Sequence, residues 1–338
     1  MDDITPLQQL DEDVLASDVH LFQPRPAYRM HSIAGGPRAR SSATINYYLK
    51  DVPRGGVSIA IHNESGELVH TIRAGSRPGI NRATWNLMHY PARQAKLRTK
   101  PPGNPHVVEE KRFHLQWERE GWYPILSWGT LGGFRGFLAS PGTYTITLKV
   151  GDQEYKQILE VKKDPRSAGS LEDIRAQEQM QIALREDLNT ASDIISQIEW
   201  LRKQCYDLMD ILEQGGKDSR MIKEVNAFDE KLRAVEDELF QPIIAEGDSK
   251  SFRYPHKLYS KLSVLAGDVG ELVDFAPNRQ QREVHALLKE RLAEQKGRFE
   301  ELLMTDLPVF NRMLQEKNLS GLVLPIIKDE IPQPTRRR

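Results

Sequence analysis

The chain has 338 residues, with 47 lysines and arginines against 48 aspartates and glutamates, so its formal net charge is −1. A near-neutral chain lacks the positive surplus of a nucleic-acid coat or a polybasic membrane binder. Hydrophobic residues make up 39%, enough for a globular core, and this length predicts about two domains. Cys205 is the only cysteine, which excludes an internal disulfide and a multi-cysteine zinc site.

Targeting signals are absent from the part of the sequence where they are expected. No apolar run approaches the roughly 20 residues that a membrane helix needs, so we expect no membrane span. The first ten residues contain two aspartates and no apolar run, unlike a signal peptide. We expect a cytoplasmic location if the chain stands alone, and a periplasmic or secreted one if it is a fragment of a larger exported protein.

Composition changes near residue 165. Residues 1–165 hold 13 of the 20 prolines and 15 of the 23 glycines, with a formal charge of +4, whereas residues 166–338 carry −5. We place a domain boundary where turn-rich sequence gives way to long proline-free sequence. The predicted parts are an extended arm (1–39), a β domain (40–163), a helical domain (168–317) and a C-terminal tail (318–338).

The first half shows the period-two alternation of β-strands. In the run from Ala43 to Lys50, the side chains of Ile45, Tyr47 and Leu49 share one side. Similar runs, separated by Gly, Asn and Pro turns, cover residues 56–62, 68–72, 80–87, 143–150 and 155–161. Six or seven such strands predict an immunoglobulin-like antiparallel β-sandwich.

The second half shows apolar positions at alternating steps of four and three, typical of helices with one buried stripe. The predicted helices cover about 170–214, 221–239, 258–272 and 279–316. Arg202 interrupts the stripe of the first helix, and we expect Pro308 to kink or interrupt the fourth. Ser170 is the candidate N-cap of the first helix, and Pro277 suits the start of the fourth. Such narrow stripes predict an antiparallel α-helical bundle.

Residues 88–138, hereafter the insertion, separate two strands of the predicted sandwich. The insertion is basic and proline-rich at first and then aromatic. Long insertions are usually functional or disordered, and the aromatic content argues against full disorder. The candidate ligand-binding residues are Trp117, Trp122, Tyr123 and Trp128. Their rings could stack on the C–H faces of sugars, or they could cover one end of the sandwich or pack against the helices.

Other reactive residues form no recognisable catalytic or metal-binding pattern, so we expect no catalytic residue, metal or cofactor. No histidine pair has the spacing of a zinc motif, although His62 and His70 flank a hairpin turn and could face each other. The acidic residues of the first 18 positions lack the spacing and the turn glycine of a metal loop. Cys205 lies on the apolar stripe of a helix, where a buried thiol is expected.

Two passages resemble the immunoglobulin-like module of the flagellar hook-capping (FlgD) type. Residues 56–87 read GVSIAIHNESGELVHTIRAGSRPGINRATWNL, and residues 141–150 read PGTYTITLKV. Asn86 stands where that pattern has aspartate after tryptophan. Residues 2–29 and 43–54 are similar to the stretch after the last blade of large bacterial β-propeller proteins with BNR-type or sortilin-like repeats, often labelled glycosyl hydrolase-like. Residues 163–175 and 304–314 resemble the helical region that ends those proteins.

The resemblance implies that the chain corresponds to the accessory region alone, because any hydrolase chemistry would lie on the propeller. The insertion departs from the family and inherits nothing from it. We therefore expect a non-catalytic structural or protein-binding module, whose partner is a β-propeller or another protein and not a nucleic acid. The alternatives are a carbohydrate-binding module that uses the insertion, and part of a sialidase-like glycoside hydrolase without its catalytic propeller.

The first two hypotheses make different predictions about exposed side chains. A scaffold for a propeller predicts that apolar residues of the arm are exposed or bound to nothing native, for example Leu15, Val19, Leu21 and Phe22. A carbohydrate-binding module predicts coplanar exposed rings at Trp117, Trp122 and Trp128.

Overall fold

The computed structural model describes residues 3–30, 41–100, 121–125, 136–214, 219–241, 254–271 and 274–325. Within these ranges the chain is a mixed α/β protein, with its strands before residue 164 and its long helices after residue 170. The strands are β1 Val19–Leu21, β2 Ala27–Arg29, β3 Ala43–Leu49, β4 Val57–His62, β5 Leu68–Arg73, β6 Gly79–Trp85, β7 Lys96–Leu97, β8 Tyr123–Pro124, β9 Gly142–Val150 and β10 Gln153–Lys163. The bounds of β3, β4, β5, β6, β9 and β10 agree closely with the six runs that the period-two pattern predicts. The four short strands β1, β2, β7 and β8 are additional.

The helices follow the strands along the chain, apart from two short ones at the start. They are α1 Thr5–Gln8, α2 Glu12–Ala16, α3 Leu171–Gln214, α4 Ser219–Leu239, α5 Leu258–Gly270, α6 Arg279–Glu301 and α7 Leu307–Glu316. The four helices predicted from the apolar stripes correspond to α3, α4, α5 and the combined length of α6 and α7.

The strands form two larger sheets and one small one. The first sheet has the order β1-β3-β6, the second β2-β10-β9-β4-β5, and the small one pairs β7 with β8. All pairs are antiparallel except β2 with β10, which is parallel. One hydrophobic cluster includes residues of both larger sheets, so their inner faces share a core. Ile45, Tyr47 and Leu49 of β3 are buried in it, as the alternation predicts.

The arm is more structured than the sequence suggests. Strand β1 pairs with β3, strand β2 pairs with β10, and Leu21 and Phe22 are buried. The expectation from the scaffold hypothesis that these two side chains are exposed is therefore wrong, because β1 pairs with β3 of the same chain and is not left open for a propeller. Leu15 is exposed at 49%, and Val19 is partly buried against the β core.

The helices pack around a second hydrophobic cluster that draws on α3, α4, α5, α6 and α7. Ser170 caps α3 as predicted, since the Asp173 amide donates to Ser170 Oγ at 3.0 Å and Asp173 Oδ2 accepts from the Ser170 amide. The N-cap of α6 is Asn278, in a capping box with Gln281.

Pro308 marks a change of helical geometry at the predicted place. A π-helical turn, Leu302–Asp306, joins α6 to α7, and Pro308 lies in the first turn of α7. Proline has no amide hydrogen for the carbonyl four residues earlier, and a wider turn accommodates this loss. The fourth predicted helix is therefore divided into α6 and α7 by the π-helical turn.

The predicted C-terminal tail begins with a segment that is held against the helices. Asn311 binds both main-chain groups of Leu322, at 2.9 and 2.7 Å, and Gln204 binds both of Val323, at 2.9 and 3.0 Å. The Leu322 side chain is buried in the helical core, whereas Val323 is exposed. Two side-chain amides thus fix an extended stretch of main chain.

A buried ion pair connects the strands with the helical part. Arg29 of β2 donates from Nε to Asp274 Oδ1 at 3.0 Å and from Nη2 to Gln177 Oε1 of α3 at 2.8 Å. Arg29 is 2% exposed and Asp274 is fully buried. A charge removed from water in this way needs its partner, so the pair fixes where the two parts meet.

A candidate interaction site at the root of the insertion

The insertion leaves the sheets through a closed neck between β6 and β9. The His89 amide donates to the Phe137 carbonyl at 2.9 Å, and the Ala139 amide donates to the Leu87 carbonyl at 2.8 Å. Gly136 permits this close approach, because a Cβ there would lie 1.8 Å from the His89 carbonyl oxygen. The two ends of the insertion therefore run side by side as they leave the β core.

Glu178 of α3 ties this neck to the helices. Its Oε1 lies 2.8 Å from His89 Nε2 and accepts from the Ser140 amide at 3.0 Å. Burial alone would raise the pKa of Glu178, but the hydrogen bonds from His89 and Ser140 lower it overall. The carboxylate thus stays ionised where both ends of the insertion pass.

Residues 92–100 and 121–125, hereafter the root, continue from the neck along α3. The Arg93 amide donates to Asn189 Oδ1 at 2.7 Å, and the Lys96 amide donates to Ser196 Oγ at 3.0 Å. Ser192 Oγ donates to the Arg93 carbonyl at 2.7 Å. Positions three and four apart lie on one face of a helix, so α3 presents a row of polar groups to the main chain of the root.

Glu199 continues this row one turn further along α3. Its Oε2 accepts from the Arg98 and Thr99 amides at 2.5 and 2.6 Å, and its Oε1 accepts from Thr99 Oγ1 at 2.8 Å. Hydrogen bonds to a carboxylate are charge-assisted and therefore stronger than hydrogen bonds between neutral groups. Most of the hydrogen bonds between α3 and the root thus go to main-chain groups of the root, and they fix the path of its main chain.

The two strands of the root also bind each other. Leu97 pairs with Tyr123 in the β7–β8 sheet, and Tyr123 Oη donates to the Thr99 carbonyl at 2.6 Å. Arg98 Nη1 donates to the Gly121 carbonyl at 3.1 Å. Leu97 is buried in the helical core, with Ile125 partly buried against it. The root therefore belongs to the helical core in its packing, although its sequence lies between two strands.

Cationic side chains of the root lie over tryptophan rings. The Arg98 guanidinium carbon is 4.4 Å from the Trp200 ring centroid, and Lys96 Nζ is 5.3 Å from that of Trp122. Each contact of this kind contributes about 0.5–1 kcal/mol at a partly exposed position. Arg93 also forms a bidentate pair with Asp193, at 3.1 and 2.6 Å.

The structure places two of the four predicted ligand-binding residues at this root. Trp122 is half-buried beside Lys96, and Tyr123 is partly buried against the helical core with its hydroxyl bonded to Thr99. Trp117 and Trp128 lie outside the described residues. The prediction of coplanar rings at positions 117, 122 and 128 therefore stays a prediction.

A buried charge cluster lies beneath the root, where the sequence shows only a polar interruption in an apolar stripe. Its members are Glu199, Arg202, Tyr206, Asp229 and Glu236. Arg202 donates from Nε to Asp229 Oδ1 at 2.9 Å, from Nη1 to Glu236 Oε2, and from Nη2 to Tyr206 Oη at 2.5 Å. Burial lowers the pKa of Arg202, whereas the neighbouring carboxylates of Glu236 and Asp229 raise it. The combined effect of the carboxylates is larger, so the pKa of Arg202 is raised.

His62 and His70 do not face each other. In the β4–β5 pair, His62 is opposite Leu68 and His70 is opposite Ile61. His70 stacks on Tyr90 with 4.7 Å between the ring centroids. Burial, together with the nearby His89, lowers the pKa of His70 to about 4.

Cys205 is fully buried, and burial raises the pKa of its thiol to about 12, so the thiol is inert.

The described residues contain neither a metal-binding cluster nor a membrane-spanning helix. Across these residues, no group of three or more His, Cys, Asp or Glu side chains is arranged to hold a metal ion. Among the same residues, no helix combines the length and the apolar character that a membrane crossing requires.

Comparison with models of known protein families gives no match, and comparison with curated proteins also gives none.

Proposed function

We propose that this chain is a non-catalytic interaction module, in which an immunoglobulin-like β-sandwich and an antiparallel helical bundle together hold the insertion for contact with a partner. The observation that carries the proposal is the row of α3 side chains that binds the main chain of the root. A disordered linker would need no such row, and a catalytic loop would bring reactive side chains together. Here the polar groups of α3 serve to position the chain.

Strand order supports the sandwich. The strands β1, β3 and β6 correspond in sequence and pairing to strands A, B and E of an immunoglobulin-like domain. The strands β5, β4, β9 and β10 correspond in the same way to C′, C, F and G. The parallel pairing of β2 with β10 adds a second edge segment to the latter sheet. In this assignment the insertion is the connection between strands E and F.

A tyrosine near the start of strand F supports the same assignment. Tyr144 lies near the start of β9, and its hydroxyl donates to the Ser140 carbonyl at 2.7 Å, four residues upstream. This is the arrangement of the tyrosine corner of immunoglobulin-like sandwiches. The Trp85 ring packs edge-on against Tyr144, with 5.1 Å between centroids. Tyr144 belongs to the PGTYT passage on which the resemblance to the FlgD-type module rests.

A preceding β-propeller is the partner that we favour, on the sequence resemblance and on the arm. Exposed apolar side chains in the described part of the arm include Ile4, Leu7 and Leu15, at 56%, 63% and 49% exposure. Exposed apolar side chains of this kind are suited to contact with another protein surface. An accessory module that follows a propeller would use its arm in this way.

The test is binding in trans. A β-propeller domain encoded next to this chain in its genome is produced separately and titrated into it by calorimetry. We expect a complex, and we expect Leu7→Lys and Leu15→Lys to weaken it at least about tenfold. Leu171→Lys, an exposed apolar position outside the arm, serves as the control and leaves the affinity unchanged. Absence of any complex, or equal weakening by the control, would overturn the proposal.

Carbohydrate binding by the insertion is a second candidate, favoured by the half-buried Trp122 ring with Lys96 across it. An indole face with an adjacent cation can stack on a sugar and bind its hydroxyls. Tryptophan fluorescence titrated with a panel of polysaccharides tests this candidate, with Trp122→Ala as the variant. If no sugar changes the emission, carbohydrate binding is rejected.

A further inference from the structure

The charge cluster beneath the root has more acid than base. Glu199, Asp229 and Glu236 surround the single guanidinium of Arg202, and each of these four residues is less than a tenth exposed. If all three carboxyls were ionised, the cluster would hold a net charge of −2 in a buried place. An excess of buried charge is relieved when one carboxyl takes up a proton.

Hydrogen bonding distinguishes the three carboxyls. Glu199 accepts from three donors of the root, and Asp229 accepts from Arg202 Nε, so both act as hydrogen-bond acceptors. Glu236 Oε2 accepts from Arg202, but Oε1 has no donor within reach in the described part of the chain. The Glu199 carboxyl is close enough to hydrogen-bond with Glu236 if one of the two carries a proton. A proton shared by the Glu236 and Glu199 carboxyls would relieve the excess negative charge of the cluster.

We propose that Glu236 is protonated in the folded protein and donates a hydrogen bond to Glu199, and that this shared proton keeps the root fixed on α3. This Glu236–Glu199 hydrogen bond, hereafter the latch, depends on a proton and holds the root of the insertion against α3. The inference rests on the proposed function only in its assumption that the position of the root matters for partner binding.

The surroundings determine what happens when the proton leaves. Glu199 and Arg202 of α3 act directly on Glu236. The other charged and titratable groups in contact with the cluster, among the described residues, are Cys205 and Tyr206 of α3 and Asp229 and Arg233 of α4. Burial and the charge of Glu199 raise the pKa of Glu236 well above its ordinary value, against the opposing effect of Arg202. Once Glu236 ionises, it repels Glu199, which is the acceptor for the amides of Arg98 and Thr99.

The sign of the pH dependence follows from this direction. Glu236 has a higher pKa in the folded than in the unfolded chain, so folding takes up a proton between these two pKa values. The stability that it contributes is present below the unfolded pKa and is lost as pH rises through the folded pKa. One proton of difference changes the unfolding equilibrium constant up to tenfold per pH unit in that window.

The first test compares the wild type with Glu236→Gln in urea unfolding from pH 5 to pH 9. The glutamine amide can donate to Glu199 and its oxygen can accept from Arg202, without a proton to lose. We expect the ratio of the unfolding constants, wild type over variant, to rise with pH by up to tenfold per unit. Glu230→Gln, an exposed position on the same helix, is the control and leaves the profile parallel to the wild type. Parallel profiles for Glu236→Gln would overturn the proposal.

The second test reads the latch directly. Hydrogen exchange of residues 93–99, corrected for the intrinsic pH dependence, is expected to accelerate at alkaline pH in the wild type but not in Glu236→Gln. Infrared spectra of the wild type at neutral pH should show the carbonyl band of a buried protonated carboxyl, and its absence would also overturn the proposal. Neither measurement involves a partner, so failure of propeller binding and failure of the latch are separate outcomes.

Discussion

Gly169 and Gly267 show how differently two glycines of the helical half are constrained. A Cβ on Gly169 would lie 1.7 Å from the Asp274 carbonyl oxygen and 2.9 Å from the Asp274 Cβ, whereas a Cβ on Gly267 would meet nothing within 4 Å. Asp274 has φ +56 and its carboxylate accepts from Arg29. The absence of a side chain at Gly169 therefore lets the partner of Arg29 reach its buried position.

Alanine at these two positions should have opposite effects on stability. We expect Gly169→Ala to lower the free energy of unfolding by about 1–3 kcal/mol, because the main chain at Asp274 must move. Gly267→Ala, inside α5, should raise it by about 0.5–1 kcal/mol, since alanine restricts the unfolded chain and favours helix. Urea unfolding of both variants measures the difference. Equal effects of the two substitutions would show that the close contact at Gly169 is relieved without cost.

Local sequence patterns predict the burial of side chains within long helices and strands more reliably than they predict contacts between residues distant in sequence. The interruption at Arg202 is visible in the sequence, but its partners Asp229 and Glu236 lie on another helix, and no local spacing connects them. Likewise, Leu21 and Phe22 are buried because β1 pairs with β3 across more than twenty residues of chain. Local patterns indicate a polar or apolar face, and tertiary pairing determines its contacts.

At the scale of elements, the main strands and helices follow from periodicity and caps, whereas the path of the insertion does not. Ser170 and Pro308 act where the sequence places them, because capping and the missing proline amide are local effects. The root binds α3 through pairs such as Arg93 with Asn189, about a hundred residues apart. A row of polar residues on a helix is ordinarily a solvent-exposed face. The sequence alone therefore could not show that this row binds the main chain of the root.

The C-terminal segment offers a test of such a side-chain clamp. Asn311→Ala removes both hydrogen bonds to Leu322 and leaves its buried amide and carbonyl without these partners. We expect a loss of about 1–3 kcal/mol and faster hydrogen exchange confined to residues 319–325. Gln315→Ala, an exposed position on the same helix, is the matched control. Unchanged exchange in the Asn311 variant would mean that burial of Leu322 alone holds the segment.

At the scale of the whole molecule, the ion pair of Arg29 with Asp274 links the β core to the helical core, and its removal should be far more costly than that of a surface pair. Arg29→Met removes the guanidinium that pairs with the buried Asp274 carboxylate, so we expect a loss of about 3–5 kcal/mol. Lys203→Met breaks the exposed pair with Asp207 on α3 and should cost less than about 1 kcal/mol.

The double variant Arg29→Met with Asp274→Asn separates lost charge pairing from lost packing. Asparagine removes the uncompensated charge and tolerates the positive φ of this position, so the double variant should be more stable than Arg29→Met alone. Urea unfolding of the four proteins of this cycle gives the coupling free energy between the two side chains. A coupling near zero would mean that the charge pair adds nothing to the contact between the two cores, and Arg29 would then act as an ordinary buried side chain. A large coupling would instead identify this charge pair as one contact through which the β part and the helices stabilise each other, beside the hydrogen bonds of Glu178.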